Sequence, residues 1–130
     1  MRYLLDTHVW LWLLGEPGHI RPDLVSEFSG RQTQLYLSAA VSWEIAIKWA
    51  LGRMPLPQPP AAYVPRMMRT SGVAGLAIEH VHALQVATLP RHHGDPFDRL
   101  LIAQAQVEHL PIVTVDSVFD DYDVEVVKAA

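Results

Sequence analysis

Met1-Arg2-Tyr3-Leu4-Leu5-Asp6-Thr7-His8 opens the chain. A short apolar run stops at an aspartate, and a helical pattern of Val9, Trp10, Leu11, Trp12, Leu13 and Leu14 begins at once. A charge at the end of a buried strand is costly unless something uses it. The junction at Asp6 therefore predicts two things. Strands should pass directly into helices, and other segments should bring acids to the same place.

Beyond Leu14, Gly15-Glu16-Pro17-Gly18 is a break. Pro22 suits the first position of a helix reaching about Ser29, with Leu24, Val25 and Phe28 on one face and Gly30 as terminator. Residues 34–38 read as the second strand, with Ser38 as a helix N-cap. The helix from about Ala39 to Leu51 is expected to bury Ala40, Trp43, Ile47 and Ala50, flanked by Val41, Ile45 and Trp49. Pro55, Pro57, Pro59 and Pro60 make a connector. A helix from Ala61 to about Thr70 is expected despite Pro65, then a third strand from Val73 to Ile78 and a helix from Glu79 to Leu89. After the loop Pro90-Arg91-His92-His93-Gly94, Asp95 has N-cap chemistry and Pro96 starts a helix reaching about His109. Ile112 to Val115 is the fourth strand, and Val124 to Val127 a fifth at the edge. Short apolar strands alternating with helices predict βαβ units and a parallel sheet covered on both faces.

The chain has 130 residues, half of them hydrophobic, which is enough for one domain with a real core. It contains no cysteine, so disulfides, thiolate metal sites and cysteine nucleophiles are excluded. No apolar stretch approaches the ~20 residues of a membrane-spanning helix, and no basic-then-apolar leader precedes the first strand. A soluble, cytoplasmic protein is expected. The net charge of −4 weighs against a simple nucleic-acid binder, unless some of the acids hold metal.

In an open parallel sheet, ligands bind beyond the carboxyl ends of the strands. Asp6 ends the first strand and Asp116 the fourth. Glu44 lies in the second turn of one helix, and Asp98 in the first turn of another that enters the sheet. Carboxylates ~6 Å apart repel by roughly 3 kcal/mol per pair at an effective dielectric of 20. Such a cluster needs cations or protonation, and all-oxygen ligation points to Mg²⁺ or Mn²⁺. Each acid also has a local structural role available. Asp6 and Asp95 can cap helices, Glu44 and Lys48 are spaced for a surface ion pair, and Asp116-Ser117 can form a turn. The shared placement carries the inference.

Four segments together resemble the PIN-domain ribonucleases, in particular the VapC-type toxins of toxin–antitoxin pairs. They are Leu4-Leu5-Asp6-Thr7-His8, residues 38–45 (Ser-Ala-Ala-Val-Ser-Trp-Glu-Ile), residues 95–103 beginning Asp95-Pro96-Phe97-Asp98, and Val113-Thr114-Val115-Asp116. The resemblance covers essentially the whole chain. It implies a three-layer α/β/α sandwich with a central parallel sheet of four to five strands, as a single PIN domain over residues 1–130. It also implies Mg²⁺- or Mn²⁺-dependent RNA cleavage. By motif position Asp6, Glu44, Asp98 and Asp116 are the catalytic, metal-binding acids. Thr7, Thr114 and Ser117 flank them as orienting groups, and Asp95 is either a cap or an outer partner of the site.

Lys48, Arg53, Arg91 and Arg99 are the expected RNA contacts, whereas His92 and His93 read as loop residues without a chemical role. The four tryptophans are assigned mostly to core packing. The resemblance further implies a homodimer, a VapB-type antitoxin laid over the active-site groove, and no membrane. The competing readings are a metal-dependent phosphatase and a non-catalytic PIN-like interaction module. Phosphatases of that kind carry a second aspartate two residues after the first, where His8 stands here. A receiver module wants a lysine after its last core strand, where Asp116-Ser117 stands.

Overall fold

The computed structural model describes residues 1–130. Five strands form one sheet: β1 (Arg2–Leu5), β2 (Gln34–Ser38), β3 (Ala74–Leu76), β4 (Ile112–Thr114) and β5 (Val126–Lys128). Their order is β3-β2-β1-β4-β5 and every pairing is parallel. The six α-helices are α1 (Thr7–Gly15), α2 (Pro22–Phe28), α3 (Ala39–Ala50), α4 (Pro60–Ser71), α5 (His80–Gln85) and α6 (Pro96–Glu108). They cover the sheet in a three-layer α/β/α arrangement. No helix is long and apolar enough to cross a membrane.

Strand β1 sits in the middle because it is apolar on both faces. Tyr3, Leu4 and Leu5 are all buried, as a strand covered by helices on both sides requires. The chain builds outward from β1 through β2 to β3, then crosses back to place β4 on the other side. The reversal makes the β1/β4 boundary the topological switch point, where parallel α/β sheets leave a crevice for ligands. Leu5 pairs with Val113 across it, and the Asp6 N–H continues the ladder to the Val113 carbonyl at 3.0 Å. Helix α3 leaves from the carboxyl end of β2. Helix α6 precedes β4, so its N-terminus lies at that same edge.

The local signals account for most boundaries. Asp6 caps α1 by accepting from the Thr7 N–H, and Ser38 caps α3 by accepting from the Ala40 N–H. Gly72, in the left-handed region at φ 71°, closes α4. Pro65 does lie inside α4, but both Pro65 and Ala61, whose carbonyl loses its partner, are exposed to water. Ser38 also donates to the buried Gln104 side chain on α6, locking β2 to that helix. Ser38→Ala removes the cap and leaves the Gln104 oxygen unpaired. It is expected to destabilise the fold by about 1–2 kcal/mol, measured as a lower urea midpoint at unchanged slope.

Four expectations are corrected. Helix α3 buries Ala40, Val41, Glu44 and Ile45, while Trp43, Ile47 and Trp49 are exposed. Its sequence is apolar nearly all round, so periodicity alone did not fix the rotation. Strand β3 is shorter than residues 73–78. The helix expected over residues 79–89 breaks at Gln85 into a short 3₁₀ turn, Val86–Thr88. Core packing accounts fully for Trp10 alone among the tryptophans. Trp10 is wholly buried with its indole N–H on Ser71, whereas Trp43 remains half exposed.

Candidate active site

Asp6 is buried at the end of β1, and both carboxylate oxygens are held. Oδ1 accepts from the Thr7 N–H at 2.8 Å and Oδ2 from the Thr114 hydroxyl at 2.8 Å. Thr114, the last residue of β4, in turn accepts from the Asp116 N–H at 3.1 Å. One threonine thus ties the first and fourth acids across the switch point. Asp116 is exposed, and its Oδ1 caps the 3₁₀ turn Ser117–Asp121 by accepting from the Val118 N–H at 3.0 Å. Ser117 begins that turn.

A second threonine reaches the other way. The Thr7 hydroxyl donates to Glu44 Oε1 at 2.6 Å, which explains why α3 turns a carboxylate toward the interior. Lys48 donates to Glu44 Oε2 at 2.6 Å, the ion pair its spacing predicted. Asp95 caps α6, its Oδ1 accepting from the N–H groups of Phe97 (2.9 Å) and Asp98 (3.1 Å). Asp98 sits one turn further along, with His93 Nε2 3.3 Å from its Oδ2.

The electrostatics show how crowded the edge is. Burial pushes the Asp6 carboxyl above the ordinary carboxylate range, and the hydrogen bonds from Thr114 and Thr7 only partly oppose it. Asp98 is pushed from 3.8 up to about 7, first by burial and then by the charges of Asp95, Asp6, Glu44 and Asp116. All four of the other acids therefore lie within electrostatic reach of Asp98, offset only by Lys48 at Glu44 and in part by His8 near Asp6. An all-oxygen donor set with surplus negative charge suits a hard divalent cation.

The four expected basic contacts differ in their surroundings. Arg53 and Arg91 are exposed, and Lys48 is partly so. Arg99 is already engaged. Its guanidinium donates to the Pro90 carbonyl (2.8 Å), the Tyr122 hydroxyl (3.1 Å), and the Leu89 and His93 carbonyls (3.4 Å each). In this structure Arg99 straps the preceding loop onto α6. His93, read as an idle loop residue, lies between Asp98 and Tyr122; that pairing spans 29 residues and leaves no local signal.

Two other features lie apart from the acids. A concavity of about 860 Å³ is lined by Ala105, His109 and Asp123 among others, and by none of the four acids. Glu79, His82 and Glu108 also converge, at the far end of α6. There the buried His82 completes a capping box. Its Nδ1 accepts from the Glu79 N–H at 3.0 Å, and its Nε2 meets Glu108 at 2.8 Å. Both ring nitrogens are satisfied structurally.

Fold and site together define a class: an α/β/α protein with an acidic centre at the switch point of a parallel sheet. The sequence matches the PIN domain family model over residues 3–125, and the chain belongs to that family. A stretch of 51 residues is 47% identical to ribonuclease VapC16 of Mycobacterium tuberculosis, covering 39% of this chain and 36% of that relative's length. Among solved structures, VapBC2 from Rickettsia felis bound to a promoter DNA fragment superposes with a TM-score of 0.74 at 14% identity, covering 100% of both chains. DNA-bound VapBC from Salmonella typhimurium gives 0.71 at 16% identity, covering 98% of each. At these identities the superpositions speak for the fold.

Proposed function

We propose that this chain is a metal-dependent endoribonuclease, hydrolysing RNA phosphodiester bonds as the toxin of a type II toxin–antitoxin pair. The observation that supports the proposal is that Asp6, Glu44 and Asp116 are linked through Thr7 and Thr114 at one sheet edge, with Asp98 near enough to be raised by their charges. The likeness to a ribonuclease VapC and to VapBC assemblies supports the same reading, with a VapB-type antitoxin and a second copy of the chain as partners.

Asp6, Glu44, Asp98 and Asp116 would hold Mg²⁺ or Mn²⁺. When bound, the ion supplies water activation near neutral pH and offsets charge on the scissile phosphate. The protein's own part is positional. Thr7 and Thr114 hold both oxygens of Asp6 and one of Glu44, which orients these two carboxylates at the sheet edge. Asp95 acts as the α6 cap, holding the first turn that carries Asp98. Arg53, Arg91 and the partly exposed Lys48 supply positive charge for the RNA backbone, while the cation reduces repulsion from the chain's net charge of −4.

The test is cleavage of end-labelled single-stranded RNA by purified protein in Mn²⁺, in Mg²⁺ and in excess EDTA. Internal cuts with either metal and none in EDTA are expected. A chromogenic phosphate monoester in the same buffers should remain intact. Hydrolysis of the ester without RNA cleavage would replace the nuclease reading with a phosphatase, and silence toward both would leave an interaction module.

A further inference from the structure

We propose that His93 is a positioning residue for Asp98, held in one ring orientation by Tyr122 and Arg99, and that this string sets how tightly the acidic centre takes up a divalent cation. The inference rests on the reading of the acids as metal ligands.

The direction of the string follows from donors and acceptors. To hold a cation Asp98 must be ionised, and an ionised carboxylate can only accept, so in that form His93 Nε2 carries the proton toward Oδ2 at 3.3 Å. His93 Nδ1 is then an acceptor, and the Tyr122 hydroxyl donates to it at 2.7 Å. The phenol oxygen is left to accept, and Arg99 donates to it at 3.1 Å. Guanidinium, phenol, imidazole and carboxylate thus point one way, so each bond polarises the next. One tautomer is selected, as with histidines whose second nitrogen is fixed by a partner.

The string is built into the fold. Tyr122 is buried, and the edges of two imidazoles meet its ring, with centroids 4.9 Å away for His92 and 5.5 Å for His93. Arg99 also donates to the backbone carbonyl of His93, fastening that residue at main chain as well as side chain. Asp98 itself sits one turn along α6 from the Asp95 cap and has no other side-chain partner. Thr7 and Thr114 orient Asp6 and Glu44, and His93 fills the matching place for Asp98. Partners of this kind around a metal centre are worth about 10–100-fold in affinity.

The test is calorimetric titration of Mn²⁺ into wild-type protein and four variants, with thermal unfolding in EDTA alongside. His93→Ala and His93→Asn are expected to bind Mn²⁺ about 10–100-fold more weakly. The asparagine amide reaches only the Nδ1 position, toward Tyr122. His93→Gln carries its N–H where Nε2 stood and should recover most of the affinity. Tyr122→Phe, which removes one hydroxyl, should weaken binding in the same direction by a smaller factor. A wild type that binds Mn²⁺ with His93→Ala or Tyr122→Phe equally tight overturns the positioning role and leaves the acidic centre standing. If His93→Ala does not fold, Tyr122→Phe and His93→Gln decide alone, by the same comparison. A purely structural role predicts lower unfolding temperatures with an unchanged Mn²⁺ constant, and that result also overturns the proposal. No uptake by the wild type removes the metal centre itself, and the inference falls with it.

Discussion

Asp6→Asn is expected to lower metal-dependent RNA cleavage by about a hundredfold or more while the protein still folds. Both halves follow from the same contacts. The amide has the shape of the carboxylate, and its oxygen can still accept from the Thr7 N–H. The NH₂ group now faces Thr114, whose hydroxyl already accepts from the Asp116 N–H and so loses only its own acceptor. That costs about 1 kcal/mol. Relief acts in the other direction, because burial at present penalises the charge on Asp6. Stability without metal should therefore change by no more than about 1 kcal/mol in either direction. What disappears is the negative charge at the crevice between β1 and β4. Cleavage rates in Mn²⁺, read beside a circular-dichroism melt in EDTA, check both statements. A folded variant that cuts at the wild-type rate would take Asp6 out of the chemistry.

The order of strands and helices was legible in the sequence because Asp6, Ser38 and Asp95 each mark a junction with cap chemistry. Those caps are all present. The local roles expected of the acids are all present. A carboxylate has two oxygens, so Asp116 caps a turn with Oδ1 and Glu44 meets Lys48 through one oxygen and Thr7 through the other. What could not be read was anything set by contacts far apart in sequence. Helix α3 is apolar on most sides, and its rotation is decided by Thr7 reaching Glu44 across 37 residues. The same holds for His93, whose meaning depends on Tyr122, and for Arg99, whose donors are taken by a loop. Trp43 gave the most misleading signal: a large aromatic on a helix suggests core, yet it packs edge-on against Phe97 at the surface, 4.9 Å between centroids.

Asp98→Asn is expected to make the metal-free protein more stable above neutral pH, and by an amount that depends on pH in a defined window. In the folded protein Asp98 is pushed from 3.8 up to about 7. Between those values the folded state keeps a proton that the unfolded chain has released. Stability therefore falls as pH rises. The proton's contribution is fully present below about 4 and gone above about 7. A shift of that size corresponds to about 4 kcal/mol at full strength. Asp98 is only partly buried, so solvent screening reduces it to about 2 kcal/mol. Asparagine carries no charge at any pH. In EDTA the variant should match wild type near pH 4 and exceed it by about 2 kcal/mol at pH 8. Urea unfolding of both proteins at the two pH values measures the difference directly. Saturating Mn²⁺ should reverse the order at pH 8, because a bound cation stabilises the wild type in proportion to its occupancy and has lost a ligand in the variant. A variant that shows no gain at pH 8 in EDTA would mean that the acids at this edge are too far apart, or too well solvated, to strain one another. The electrostatic case for a cation there would go with it.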